Sequence, residues 1–344
     1  MKVCYFGNYN REYNRNQILI KGLKLNGVEV LECNSRKAGL AKYIDLFKKH
    51  QQFKNKYDVM VVGFPGYQSM WLAKFVCRKK IVFDAFSSIY DSMVFDRKKT
   101  KQKSPKALYY YLLDYVSCRL ADLILLDTQE HIDYFVRQFK ISQNKFKKIL
   151  VGSDDSFMQP RAEVKNNDKF LVHFHGSNIP LQGVNYILGA AKLLEGQNIS
   201  FNIIGSSIKK QYQNNKYTNV SFLDNVTHKD LSKYMSKADV CLGVFGDTDK
   251  ANRVIANKVF EAMAAKCPII TGRSQASDNF FIDKDDVVLA KMADSQDLAD
   301  KILLIKNNKE LSNKISDNAY QLFQKTSTPK ILGRELLNTI NEIL

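Results

Sequence analysis

Val240–Gly272 reads VCLGVFGDTDKANRVIANKVFEAMAAKCPIITG. An apolar run (Val240, Cys241, Leu242) passes into a loop carrying Gly243 and Gly246, then into a helical pattern holding Lys258 and Glu261. Small residues follow (Ala262, Ala264, Ala265), then Pro268 and a second apolar run. This is the build of a strand–helix–strand unit with parallel strands. The first turn of such a helix has unpaired N–H groups and partial positive charge, which suit a diphosphate. Lys258 and Glu261 are three positions apart and share a helix face. A cation there can hold phosphate while the carboxylate accepts from ribose hydroxyls. The same spacing also describes a plain surface ion pair, so the surrounding chain decides between the two.

Working outward, strand and helix signals alternate along both halves. The first half predicts strands at Lys2–Phe6, Val28–Glu32, Asp58–Val62, Lys80–Phe83, Leu123–Leu126 and Lys148–Val151. The second predicts them at Phe170–Phe174, Ile199–Ile204, Val220–Phe222, Val240–Leu242, Ile269–Thr271 and Val287–Leu289. Short apolar runs without strict alternation suit strands covered on both faces, and helices between them argue doubly wound parallel sheets. The polar stretch 152–168 reads as a linker. The expected organisation is a domain over 1–158, a second over 159–328 and a last helix over 329–344. The cleft between two such domains is the default ligand site.

The chain has 344 residues, 45% hydrophobic and 25% charged, which is globular composition with room for two domains. Six scattered cysteines without a CxxC pair read as reduced thiols of a cytoplasmic protein. The five histidines show no metal-ligand spacing. The start, MKVCYFGNYN, reads as strand and turn and not as a signal peptide, and no apolar stretch is long enough to span a bilayer.

The formal charge of +17 is uneven: residues 1–158 hold 28 Lys and Arg against 15 Asp and Glu. The excess is densest in DRKKTKQKSPK, followed by ALYYYLLDYVSCRL with apolar and Tyr residues at roughly helical spacing. Lysines beside such a segment suit an anionic membrane surface. A solvated loop and a buried core helix are the alternatives. Nucleic acid can also take a basic run, but no DNA- or RNA-binding motif accompanies it, so nucleic acid is not expected as a partner.

Candidate site residues cluster at strand carboxyl ends. Gly7 and Asn8 end the first strand, and Arg15 opens the next helix. The dinucleotide fingerprint GxGxxG is missing, which weakens a nicotinamide dehydrogenase reading. Asp84 closes the fourth strand, with Ser87 and Asp91 downstream. A carboxylate at that place serves as a general base or a holder of sugar hydroxyls, or merely caps a turn. In the second half, Gly176 and Ser177, Gly205, and the Gly243–Gly246 loop with Phe245 follow strands in the same way.

With these residues placed, the chain resembles the GT-B glycosyltransferases, specifically the retaining enzymes of glycosyltransferase family 4. The resemblance is carried by GSNIPLQGVNYILGAAKLL, FNIIGSS, NVSFLDNVTHKDLSKYMSKADVCLGVFG and NKVFEAMAAKCPIITG, with YFGNYN and KGLKLNGVEV similar to the family's first unit. It implies an α/β GT-B fold: two doubly wound Rossmann-like domains facing a central cleft, the last helix crossing back to the N-terminal domain. It implies a donor domain binding a nucleotide diphosphate sugar, UDP- or GDP-linked, and no metal or other cofactor.

Of the family's Glu-x7-Glu pair, the second acid, which holds ribose, matches Glu261, while Arg253 stands at the first. Gln182 stands where a Lys is expected before Gly183, so Lys258 and Arg253 become the cations for the diphosphate, the catalytic candidates together with Asp84 and Asp91. Gly7, Asn8, Gly176, Ser177, Gly205, Asp224, Asn225, Val226, Phe245 and Gly246 complete the implied donor site. Arg15, Ser87 and Asp91 complete the acceptor side. The implied reaction is glycosyl transfer with retention to a glycan or lipid-linked glycan, as in surface polysaccharide or lipopolysaccharide synthesis. The implied location is the cytoplasm, with docking on the inner membrane face as an added expectation. A non-catalytic GT-B-like partner subunit is the alternative that Arg253 and Gln182 motivate.

Overall fold

The computed structural model describes residues 1–156 and 169–344. The chain divides into two compact units, Met1–Gly152 with Thr328–Leu344, and Ser153–Ser327. The first unit runs β1 (Lys2–Gly7), α1 (Asn14–Leu25), β2 (Glu29–Asn34), α2 (Ala41–Phe53), β3 (Val59–Val62), α3 (Met70–Val76), β4 (Lys80–Phe86), α4 (Pro105–Leu120), β5 (Leu123–Leu126), α5 (Gln129–Phe139) and β6 (Phe146–Lys148). The second runs β7 (Phe170–His175), α6 (Val184–Leu193), β8 (Ile199–Ile204), α7 (Ser206–Tyr212), β9 (Val220–Leu223), α8 (His228–Lys237), β10 (Val240–Leu242), α9 (Asn257–Ala264), β11 (Ile269–Gly272), α10 (Gln275–Asp278), β12 (Val288–Ala290), α11 (Ser295–Asn307) and α12 (Lys309–Thr326). The last helix, α13 (Pro329–Asn341), belongs to the first unit.

Among the described residues the strands form two six-stranded sheets, ordered β2-β1-β3-β4-β5-β6 and β12-β11-β10-β7-β8-β9. All pairings between them are parallel. The doubly wound α/β class expected from the alternating pattern is therefore what the chain adopts. Every residue of β3 and β5 is buried, as strands covered by helices on both faces must be. Each unit has its own core, built on Phe6, Val62, Phe83 and Leu126 in the first and on Val172, Phe174, Ile203 and Val288 in the second. Strand order reverses between β7 and β10 in the second sheet, and the carboxyl ends at such a switch point open a crevice.

Several boundaries differ from the sequence-based expectation. The sixth strand is Phe146–Lys148, not Lys148–Val151. The carbonyls of Ile149 and Leu150 are taken by the Arg15 guanidinium, at 2.6 and 2.7 Å, which draws the chain out of the sheet. Helix α7 lies outside the sequence-based expectation: SSIKKQY is polar and buries only Ile208. The expected boundary at 158/159 lies among residues 157–168, outside the described residues; the two units divide at Gly152 and Ser153.

Helix α13 packs on α1 through two glycines. A Cβ on Gly22 would stand 2.2 Å from the Pro329 carbonyl oxygen, and one on Gly333 would stand 2.1 Å from the Gly22 carbonyl carbon. The backbones can approach this closely only without those side chains. Pro329 at the first turn and Thr328 as its cap fix where α13 starts.

Candidate functional site

At the switch point of the second unit, Glu261 on α9 is 4% exposed. Burial alone would raise its carboxyl, yet it is held well below the usual carboxylate range. The cause is a pair of imidazoles: His175 Nε2 lies 2.8 Å from Oε2 and His228 Nε2 lies 3.2 Å from Oε1. His175 ends β7, and His228 opens α8 directly after its Thr227 cap. His173 Nε2 stands 3.1 Å from His175 Nδ1, and burial pushes the His173 imidazole well below its ordinary value. A neutral His173 donating from Nε2 leaves His175 Nδ1 as acceptor and its Nε2–H aimed at Glu261. The hydrogen bond that His228 donates to Glu261 raises His228, opposing burial, and so favours an imidazolium against the carboxylate. Each carboxylate oxygen keeps lone-pair capacity for a ligand hydroxyl.

Lys258 lies one turn earlier on α9 and is 5% exposed. Its Nζ stands 3.9 Å from the centroid of the Phe174 ring and donates to Gln182 Oε1. Burial pulls the ammonium down to about 7, with Glu261 opposing. Gly176 covers this lysine: a Cβ there would stand 2.9 Å from Nζ and 3.1 Å from Gln182 Oε1. A side chain at 176 would therefore block the approach to the cation. Gln182 sits in the turn Pro180–Gln182, which is locked to the loop after β10 by Phe245 N–H to the Gln182 carbonyl (3.2 Å) and Gly246 N–H to the Leu181 carbonyl (3.2 Å). Helix α9 starts after Ala256 and α6 after Gly183, neither with a side-chain cap, so their first-turn N–H groups are not met by a capping side chain.

Of the residues singled out in the second unit, Gly176, Lys258 and Glu261 meet in this cluster. Gly205 follows β8, and a Cβ there would collide with the Gly176 carbonyl oxygen at 2.1 Å. Ser177 is exposed beside Gly176. Asn225 Oδ1 accepts from Ser206 N–H at 3.0 Å, and Asp224 pairs with Lys209 at 2.6 Å on the surface; Val226, next along, is half-buried. Arg253 lies on the short turn Ala251–Arg253 before α9. The Phe245 side chain is corrected: it is 1% exposed and packs in the hydrophobic core, so only its backbone borders the turn at Gln182.

In the first unit the acceptor-side expectations for Arg15 and Asp84 are corrected. Both side chains are fully buried, and Arg15 Nε and Nη2 grip the Asp84 carboxylate at 3.0–3.1 Å. Burial raises the Asp84 carboxyl against the pull of Arg15, and a guanidinium stays protonated in any case. This pair anchors α1 to β4 and to the chain after β6; it does not face a ligand. Asp91 is also buried, at 1% exposure, on the π-helical turn Asp91–Asp96, and its backbone N–H donates to Ser88 Oγ. Ser87 is half-buried, with its carbonyl accepting from the Tyr67 hydroxyl. Gly7 ends β1, and the Asn8 amide donates to the carbonyls of Ser35 and Lys37. Sequence reasoning missed His175 and His228 as partners of Glu261, and Gln182 as a partner of Lys258. Among the described residues no group of three or more His, Cys, Asp or Glu is placed to hold a metal ion, and no helix is long and apolar enough to cross a membrane.

Residues 185–338 match the family described as glycosyl transferase-like. An uncharacterised 41.2 kDa protein of the cps region of Klebsiella pneumoniae is 26% identical over 203 residues, 55% of this chain; the match spans about half, 54%, of that relative's length. The fold is that of the HepE protein of Anabaena, solved with UDP and glucose, at 14% identity and a TM-score of 0.75 over 99% of this chain and 100% of that one. It is also that of sucrose-phosphate synthase from Thermosynechococcus elongatus, at 14% identity and a TM-score of 0.77 over 99% and 98%. The chain has the GT-B fold class, and most of the residues that match the glycosyl transferase-like model lie in its second unit.

Proposed function

We propose that this chain is a retaining glycosyltransferase that moves a sugar from a UDP- or GDP-linked donor to a hydroxyl of a glycan or lipid-linked glycan in cell-surface polysaccharide synthesis. The observation that carries the reading is the buried carboxylate of Glu261, kept ionised by His175 and His228 one turn from Lys258. A dry, pre-oriented acceptor of this kind suits the two vicinal hydroxyls of a nucleotide ribose. Lys258 and the uncapped turn of α9 suit the diphosphate. The family match, the HepE structure with UDP and the cps-region relative support the same reading.

In the reaction the bond from the anomeric carbon to the diphosphate oxygen breaks, and a bond from the acceptor oxygen forms on the same face. The acceptor proton passes to an oxygen of the departing diphosphate, whose charge Lys258 stabilises, with Arg253 as second cation. No nucleophilic side chain and no metal is assigned a step. Acceptor recognition is assigned to the first unit, around Ser87.

Glu261→Ala should weaken UDP or GDP binding by about tenfold or more, the worth of hydrogen bonds to a charged group. Calorimetric titration of the folded variant checks this, and unchanged affinity would remove Glu261 from the donor site. The second reading, a non-catalytic partner subunit, is favoured by Arg253 at the position of the family's first acid. It predicts nucleotide binding with neither transfer nor hydrolysis of any nucleotide sugar.

A further inference from the structure

Three neighbouring helices of the first unit each show an unpartnered apolar stripe. On α2, Ile44 and Phe47 are 59% and 40% exposed, with Leu40 just before the helix at 79%. On α3, Trp71 and Phe75 are 50% and 75% exposed. On α4, Leu108, Leu112 and Val116 follow at four-residue steps, 58%, 45% and 44% exposed. These spacings place each set on one helix face.

The helices are joined on this surface. The Tyr43 and Trp71 rings lie 5.1 Å apart, Lys42 Nζ donates to Gln68 Oε1 at 2.5 Å, and Gln68 Nε2 donates to the Tyr109 hydroxyl at 3.2 Å. A groove of about 200 Å³ runs between α3 and α4, lined by Met70, Trp71, Tyr109, Leu112 and Val116. The other exposed large apolar residues described, Met1, Leu25, Leu193, Ile282 and Leu344, share no element.

Beside the face, the segment leading into α4 carries Arg97, Lys98, Lys99, Lys101 and Lys103, and the first turn of α4 carries Lys106, all exposed, and no acidic residue occurs between Asp96 and Asp114. Lys42, Lys48 and Lys74 stand on α2 and α3. We infer that this face docks on an anionic lipid bilayer, the apolar stripes entering the acyl–headgroup boundary and the lysines meeting the headgroup phosphates.

The charge argues for this occupant over a second copy of the chain. A two-fold interface would bring two copies of the same basic segment together around one axis, and like charges at close range repel. An anionic headgroup layer attracts them. The apolar stripes argue against a nucleic-acid duplex, which offers no hydrocarbon layer for Leu and Phe side chains. The inference goes beyond the donor-site reading and does not depend on it.

Trp71 is the one tryptophan of the chain, so its emission reports on this face. The full chain is titrated with vesicles of phosphatidylcholine, alone and mixed with phosphatidylglycerol. Expected are a blue shift of Trp71 emission and co-sedimentation with the mixed vesicles only, both falling with salt over the range where surface charges are screened. Phe75→Glu with Leu112→Glu should reduce binding by about tenfold or more, since burying a charge in the lipid boundary opposes insertion. Replacing Lys98, Lys99, Lys101 and Lys103 with Gln, all in an exposed loop and so safe for folding, should remove the preference for phosphatidylglycerol. UDP-induced thermal shift should be the same in all variants, which separates this test from that of the donor site. Unshifted emission with no co-sedimentation overturns the inference. So does a concentration-dependent dimer that Phe75→Glu disperses, or equal binding to random duplex DNA.

Discussion

Lys258 is a cation that its surroundings work against. Its Nζ has the Phe174 face, one amide oxygen and little water, and burial brings its titration from 10.5 down to about 7. Two consequences follow from the sign of that shift. Between about pH 7 and 10.5 the unfolded chain holds a proton on Lys258 that the folded chain has released, so raising pH across that window stabilises the unliganded protein at this residue. A bound diphosphate acts oppositely, because its negative charge favours the ammonium. Binding of UDP or GDP at pH 8 should therefore take up a proton, and affinity should fall as pH rises above 7, by at most about tenfold per unit. Calorimetry in two buffers of different ionisation enthalpy measures the uptake. The groups facing Lys258 and Glu261 are His173, His175 and His228, and Glu261 raises His228. Lys258→Met isolates the lysine: in that variant the uptake attributable to position 258 disappears, and residual pH dependence comes from other titrating groups, the nucleotide's terminal phosphate among them. Uptake equal in the wild type and in Lys258→Met would remove the lysine from the diphosphate site.

The helices of the second unit differ in how their first turns are finished. Thr227, Ser274, Asp294 and Asn308 cap α8, α10, α11 and α12 with side-chain oxygens. Ala256 and Gly183 leave α9 and α6 without such a cap, though Ala256 already has the extended backbone of a capping residue. Ala256→Asp should therefore stabilise the free protein by about 0.5–2 kcal/mol. It should also weaken nucleotide binding, because the new carboxylate competes with a phosphate for the same N–H groups. A raised melting temperature with unchanged nucleotide affinity would show that the α9 turn meets no phosphate.

This helix was the most legible part of the chain. Its flanking apolar runs, Pro268, Lys258 and Glu261 are all local signals, and the doubly wound class follows from the same alternation. The partners of Glu261 were not legible, because His175 and His228 come from 86 and 33 positions away and meet it only once β7 and α8 are folded. Arg15 and Asp84 misled for the same reason. A strand-end carboxylate and a helix-start guanidinium read as ligand groups until the fold turns them onto each other. What remains outside local sequence is which polar side chains the fold consumes.

At the scale of the whole chain, each unit owns its core, and the first is not continuous in sequence. Leu332, Leu336 and Ile340 of α13 are fully buried, and Asn26 Nδ2, just after α1, donates to the Lys330 carbonyl at 2.9 Å. Side chains of this size contribute about 1.5–3 kcal/mol each on burial, so α13 supplies several kcal/mol to a unit whose total stability is of order 5–15 kcal/mol. The Gly22–Gly333 contact controls whether that energy is gained, since any Cβ at 333 drives α13 away from α1. Gly333→Ala should destabilise the first unit by about 1–3 kcal/mol, the usual cost of overpacking. Glu261 and Lys258 sit in the other unit, which holds none of α13. UDP should then still raise the melting temperature of the second unit in the variant, while the remaining part of the calorimetric trace moves down and does not respond to nucleotide. Loss of the UDP response in Gly333→Ala would mean that the nucleotide site needs an intact first unit, and that the donor chemistry is not confined to the cluster around Glu261.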